Sequence, residues 1–158
     1  MSLDMSEVMN TKDTKCNIKS IKSEEIGTVS GVFKLTTPLI GYKAVKCYSE
    51  FNYSRYYTLA KISIPVGAII VVPHYYAIPS KISNDLRTDT IKIEEIWKQN
   101  ESDECFNYYY NQCLYTKNYK VGETYNSELN TTILDFSCEE GFHFMLSKEL
   151  LIKHNYIQ

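Results

Sequence analysis

Glycine, proline and arginine are all scarce in this 158-residue chain. Six glycines spread along the sequence cannot build a glycine-rich phosphate loop, and no nucleotide-binding fingerprint of that kind occurs. With only four prolines and 44% hydrophobic residues, neither a fibrous repeat nor a disordered chain fits. Only Arg55 and Arg87 are arginine, so bidentate recognition of an anion has two candidates. A basic excess is missing as well: 17 Lys and Arg against 19 Asp and Glu leave a net charge of −2, which makes nucleic acid an unlikely partner. No run reaches about 18 consecutive apolar residues. The start, Met1 to Glu7, has neither a basic region nor an apolar one of the signal-peptide type. The reading is therefore a soluble protein, neither secreted nor membrane-spanning.

Cysteine is present in odd number and without a C-x-x-C pair: Cys16, Cys47, Cys105, Cys113 and Cys138. That argues against a disulfide framework and against a zinc knuckle, and it leaves buried reduced thiols that pack as small hydrophobes. No metal site and no cofactor is predicted. No nucleophile elbow and no H-E-x-x-H motif occurs.

What the chain does have is tyrosine, 14 residues, alongside abundant Lys, Asn and Ile and little Ala. The skew reads as mutational bias in an A+T-rich genome. The length predicts one domain. Residues 1–31 are polar and mixed in charge and read as an arm, partly disordered or helical, ahead of a single domain over 32–158. Two β-branched stretches, Val32 to Thr37 and Gly41 to Tyr48, read as strands. In Tyr57 to Ile64, Ala60, Ile62 and Ile64 alternate with Lys61 and Ser63, a half-buried strand that the turn Pro65-Val66-Gly67 ends. Ala68 to Val72 has no polar face and reads as a strand buried on both sides. Thr90 to Trp97 alternates until Glu94-Glu95, where a bulge or strand end is expected. Cys105 to Asn111 stays open between strand and helix, Tyr119 to Tyr125 reads as a strand pair hinged at Gly122, and Phe142 to Leu146 as a last strand. Ser147 is placed to cap a helix from Lys148 to His154, with Leu150, Leu151 and His154 at helical spacing. These elements predict an α+β domain: a compact, mostly antiparallel sheet or partly open barrel of short strands with a C-terminal helix.

Several side chains are candidates for chemistry, and each has a plainer reading. His143 between Phe142 and Phe144 points away from two core aromatics, as a solvent-facing acid or base or as a histidine bonded to a neighbouring strand. His74 and His154 are weaker, the latter fitting a helix C-terminus. Arg87 would bind an anion or pair locally with Asp85 and Asp89. The acidic stretch Glu94, Glu95, Glu101, Asp103 and Glu104 lacks the spacing of a calcium loop and reads as a solvated face. Tyr75, Tyr76, Tyr108, Tyr109 and Tyr110 form a candidate interface of amphipathic rings, or half-buried strand positions.

Gly41-Tyr42-Lys43, then Ala60 to Ala68, then Arg87-Thr88-Asp89 before Ile91 to Trp97, resemble a small domain of unknown function found in giant DNA viruses and tailed phages. The ending is more specific: Tyr119-Lys120-Val121-Gly122-Glu123-Thr124, followed by Cys138 to Glu149, is similar to that family's Cys and Gly ahead of an Ile-His-Phe-Phe strand and a Thr-Arg-Glu-Glu helix start. Phe142, Met145 and Lys148 depart from it. The resemblance covers roughly residues 41 to 156; it implies a viral origin and a shared fold and brings no activity. Gly141-Phe142-His143-Phe144 with Glu149 is also distantly similar to the Gly-Ile-Tyr-Phe strand of ADP-ribosyltransferases. His143, Arg87, Tyr42, Lys43 and Glu149 together form the candidate functional cluster. The leading expectation is a non-enzymatic viral interaction module in the host cytoplasm or the virion. Its partner would be an unidentified host or viral protein, with homo-oligomers admitted and the membrane excluded. The alternative is a small nucleotide-binding protein or enzyme distantly like an ADP-ribosyltransferase.

Overall fold

The structure, a computed structural model, describes residues 18–74, 85–108, 118–135 and 140–153. Tyr75, Tyr76, Tyr109, Tyr110, Cys16, Cys113, Cys138 and His154 lie outside the described residues.

Alternation of apolar and polar residues builds ten strands among the described residues: β1 (Lys19–Ile21), β2 (Gly31–Leu35), β3 (Leu39–Tyr48), β4 (Arg55–Ile64), β5 (Ile69–Val72), β6 (Leu86–Thr88), β7 (Thr90–Ile96), β8 (Glu104–Asn107), β9 (Thr124–Asn126) and β10 (Phe142–Phe144). They form two five-stranded sheets, in the orders β1-β2-β5-β6-β10 and β8-β3-β4-β7-β9. Only β1 and β2 pair in parallel; the other named pairs are antiparallel. Leu35, Ile70, Val72, Leu86, Phe142 and Phe144 from the first sheet share one core with Val45, Ile62, Ile64, Ile91 and Ile93 from the second. Burying that apolar area between sheets is the main stabilising term.

The fold is thus mostly β, with one sheet curled as a half-barrel, and the α+β expectation is corrected. The predicted C-terminal helix amounts to α1 (Lys148–Lys153), six residues. Fewer than two turns cannot form a layer. Ser147 does cap it, its Oγ accepting from the Glu149 N–H at 3.2 Å. Two strands, β1 and β6, are three residues each, too short for their sequence to show a period. Tyr119 to Tyr125 is not a strand pair: the turn at Gly122, φ 92°, bonds to Ile93, and only β9 follows it. The break at Glu94-Glu95 is a bulge, because Ile62 faces Ile93 while Lys61 faces Glu95.

The two sheets meet at the end of β10. Met145 and Tyr42 exchange backbone hydrogen bonds of 2.8 Å, and Phe144 lies on Gly41, where an added Cβ would come within 2.6 Å of the ring. Glycine is required there so that β10 can close on β3. On the outer face of β3, Leu59, Met145 and Leu151 form a second small cluster with Tyr42, Ala44, Trp97 and Tyr108 against it.

The cysteine reading is corrected too. Cys47 and Cys105 face each other across β3 and β8, both fully buried, and form a disulfide. Neither an odd count nor C-x-x-C spacing detects partners that only the strand register brings together. The bond closes a loop of sequence separation 58, for which chain entropy gives about 4 kcal/mol at most. Replacing both cysteines by alanine should lower the urea-unfolding free energy by about 2–4 kcal/mol; an unchanged midpoint would contradict a structural role.

Candidate functional site

Lys43 sits in the row Leu39, Gly41, Lys43, Val45 and Cys47, which faces the core along β3. It is only 2% exposed. A buried ammonium needs acceptors, and Lys43 Nζ donates to Asn107 Oδ1 at 2.8 Å and to the His143 carbonyl at 2.6 Å. One side chain therefore ties β3 to β8 and β10. Desolvation pushes its pKa down to about 7, partly opposed by the carboxylate of Asp85.

Around this lysine lies a small cavity lined by Tyr42, Lys43, Asp85, Asn107, Tyr108 and His143, with Ala44, Phe144, Met145 and Leu151 as apolar wall. Its interior is about 30 Å³, room for about two water-sized groups. Asp85 Oδ2 is 3.7 Å from His143 Nδ1. Among the described residues Asp85 Oδ1 and Asn107 Nδ2, one an acceptor and the other a donor, are buried and have no hydrogen-bond partner.

Of the predicted cluster, His143, Tyr42 and Lys43 come together here, joined by Tyr108 from the candidate interface. His143 is 6% exposed and so is not a solvent-facing acid or base. Arg87 is its cross-strand partner, yet its guanidinium does not line the cavity. Buried to 1% exposure, it donates to the carbonyls of Asn130 at 2.8 Å and Glu140 at 2.9 Å and to that of Ile133. It holds Asn130, Ile133 and Glu140 against the outer face of the first sheet. Gly141, φ 128°, lies under the same chain, where a Cβ would meet Leu129 at 2.5 Å. On the surface His74 Nδ1 lies 2.7 Å from Asp135 Oδ2, a bond that lowers the Asp135 pKa. Arg87 and His74 thus fix one covering segment from inside and outside. Asp89 is engaged elsewhere, accepting from the Ile69 N–H at 3.1 Å and the Thr90 hydroxyl at 3.2 Å.

Glu149 is exposed and accepts from Ser147 Oγ at 2.9 Å, away from the cavity. In the acidic stretch Glu94, Glu95 and Glu104 are exposed, while buried Asp103 accepts from the Tyr56 hydroxyl, whose pKa is raised by burial first and by this bond second. Among the described residues no three His, Cys, Asp or Glu gather as metal ligands, and no helix is long and apolar enough to cross a membrane.

Asp85 and Asn107 are the site residues that sequence reasoning missed. For Asn107 a signal exists: as a strand, Cys105 and Asn107 share one face, so a buried cysteine implies a buried, partner-seeking amide.

Two outcomes test this arrangement. Lys43 has a folded pKa below its unfolded one, so between pH 7 and about 10 the unfolded state binds more protons and stability rises with pH. Urea unfolding should show the wild type gaining of order 1 kcal/mol per pH unit over Lys43→Met in that window, and parallel curves would refute a buried, desolvated amine. Arg87→Met removes the donor shared by three part-buried carbonyls and should cost about 1–3 kcal/mol, with Arg87→Lys recovering little, because an ammonium cannot reproduce the guanidinium fork.

No curated protein and no solved structure matches the chain. The family of unknown function DUF5758 matches residues 10–150, which takes in both sheets, the cavity lining as far as Met145 and the Arg87 clamp. The chain belongs to that family.

Proposed function

We propose that the domain is a non-enzymatic recognition module whose cavity takes in one small polar group of its ligand. The observation that carries this reading is the cavity itself, lined by Lys43, Asp85, Asn107 and His143 and by the apolar Ala44, Phe144, Met145 and Leu151. Catalysis is less favoured by the same geometry. Lys43 Nζ already donates to two acceptors, which commits it to holding β3, β8 and β10 together. The ADP-ribosyltransferase likeness loses support because Glu149 bonds to Ser147 instead of facing the cavity.

The setting follows from the family resemblance in the sequence: a protein of a large DNA virus, acting in the host cytoplasm or the virion on an unidentified host or viral protein. Residues 19–31 belong to the domain and not to an arm ahead of it, because β1 pairs with β2 and Ile21 and Ile26 enter the core.

A panel of small amides, carboxylates, ammonium salts and alcohols, screened by proton–nitrogen correlation spectra of the full chain, tests the reading. At least one class should move the backbone amides of Lys43, Asp85, Asn107 and His143 together. A panel that leaves all of them unmoved removes it.

A further inference from the structure

We infer that a second site, the cleft beside the β3–β4 hairpin, binds a positively charged side chain, lysine or arginine, of a partner polypeptide. The inference goes beyond the recognition reading above, since this cleft and the Lys43 cavity share no residue. The cleft holds about 370 Å³ and is lined by Tyr48, Ser49, Glu50, Tyr53, Ser102 and Glu104: aromatic rings, carboxylates and hydroxyls, with no cation among them. Each wall is set by the fold. Tyr48 of β3 faces Glu104 of β8 directly, so their side chains stand next to each other on one face of the sheet. The hairpin brings in Tyr53, whose N–H donates to the Ser49 carbonyl at 3.0 Å, while the Ser49 N–H donates to the Ser54 carbonyl at 2.8 Å. Ser102 sits in the connection from β7 to β8, which Asp103 pins by accepting from the Tyr56 hydroxyl and from the Asn100 N–H at 3.3 Å.

Charge selects the occupant. Glu50 and Glu104 are both exposed, and among the described residues neither has an ion-pair partner. Arg55 faces Tyr48 from β4, on the other side from Glu104, and does not line the cleft. Like charges that share a cleft repel, and a cation there relieves the repulsion. The faces of tyrosine rings attract the same charge. An anion meets both carboxylates, and an apolar or neutral polar side chain leaves their repulsion as it was. A bare divalent ion needs more oxygen ligands than these two residues supply, and among the described residues no three His, Cys, Asp or Glu gather. Ammonium and guanidinium groups both meet the requirement. The polypeptide source follows from the tip of the same hairpin, where Phe51 is 80% and Tyr53 90% exposed. A small free cation leaves Phe51 in water, whereas a chain that delivers the cation also brings neighbouring residues to cover it.

Blocked pentapeptides that differ only at the central residue, lysine, arginine, glutamine, norleucine or glutamate, in a common alanine-leucine frame, test this with the full chain. In proton–nitrogen spectra the lysine or arginine peptide should move the backbone amides of Ser49, Glu50, Tyr53 and Glu104, with the other three weaker by roughly tenfold or more. Salt raised from roughly 50 to 500 mM should weaken the cationic peptide several-fold. Glu104→Gln and Tyr53→Ala alter exposed side chains, and each should weaken it by about threefold to tenfold. Butylammonium, which carries the charge without a chain, should bind more weakly than the lysine peptide, and Phe51→Ala should narrow that difference. A glutamine or norleucine peptide equal to the lysine one, or an affinity indifferent to salt, overturns the cation assignment. Butylammonium equal to the lysine peptide overturns the polypeptide source. Calcium chloride moving these amides where the peptides do not marks a metal site and ends the proposal, as does a series that moves none of them. The amides around Lys43, followed in the same spectra, report on the cavity separately.

Discussion

A lysine that faces the core of a β-sheet must be answered on every side, and the answer given to Lys43 organises this molecule. Its hydrogen bonds to Asn107 and to the His143 carbonyl reach two strands from two different sheets. Removing an ammonium from water is costly, so these partners cannot drift without leaving a buried charge exposed to an apolar core. The junction of β3, β8 and β10 is therefore held by an electrostatic constraint in addition to packing. The cavity lies beside that junction and shares Lys43, Asn107 and His143 with it.

Closure of the two sheets depends on the same neighbourhood. Gly41 lets Phe144 come down on β3, and the backbone exchange between Tyr42 and Met145 completes the contact. On the far side of β10, Arg87 keeps the chain at Asn130, Ile133 and Glu140 over the sheet. His143 lies between these two devices, its carbonyl tied to Lys43 and its ring near Asp85. A histidine so enclosed acts through the atoms around it, which is why the cavity and not the imidazole is the centre of the functional reading.

Long strands were legible because alternation repeats enough times to fix a period. Tyr57 to Ile64 and Thr90 to Trp97 carry that pattern, and β4 and β7 stand where it predicts. Leu86-Arg87-Thr88 is too short to show a period, and Arg87 within it reads as surface until three carbonyls are brought to it. The Lys148 to His154 spacing does produce a helical turn, but a spacing cannot say whether an element is long enough to make a layer. Cys47 and Cys105 were read as thiols because spacing in sequence carries no register.

Sequence alone determined the alternating strands, the inward Phe142 and Phe144 and the cap at Ser147, and it offered Lys43, His143, Tyr42, Arg87 and Glu149 as candidates, because these depend on local periodicity and side-chain type. Tertiary structure alone decided which of them meet. It put Lys43, His143 and Tyr42 with Asp85 and Asn107, sent Arg87 to a covering segment and Glu149 to the surface, and paired two cysteines. Each of those outcomes depends on contacts between residues far apart in the chain, and such contacts are set by strand register and by the cost of leaving a buried polar group unanswered.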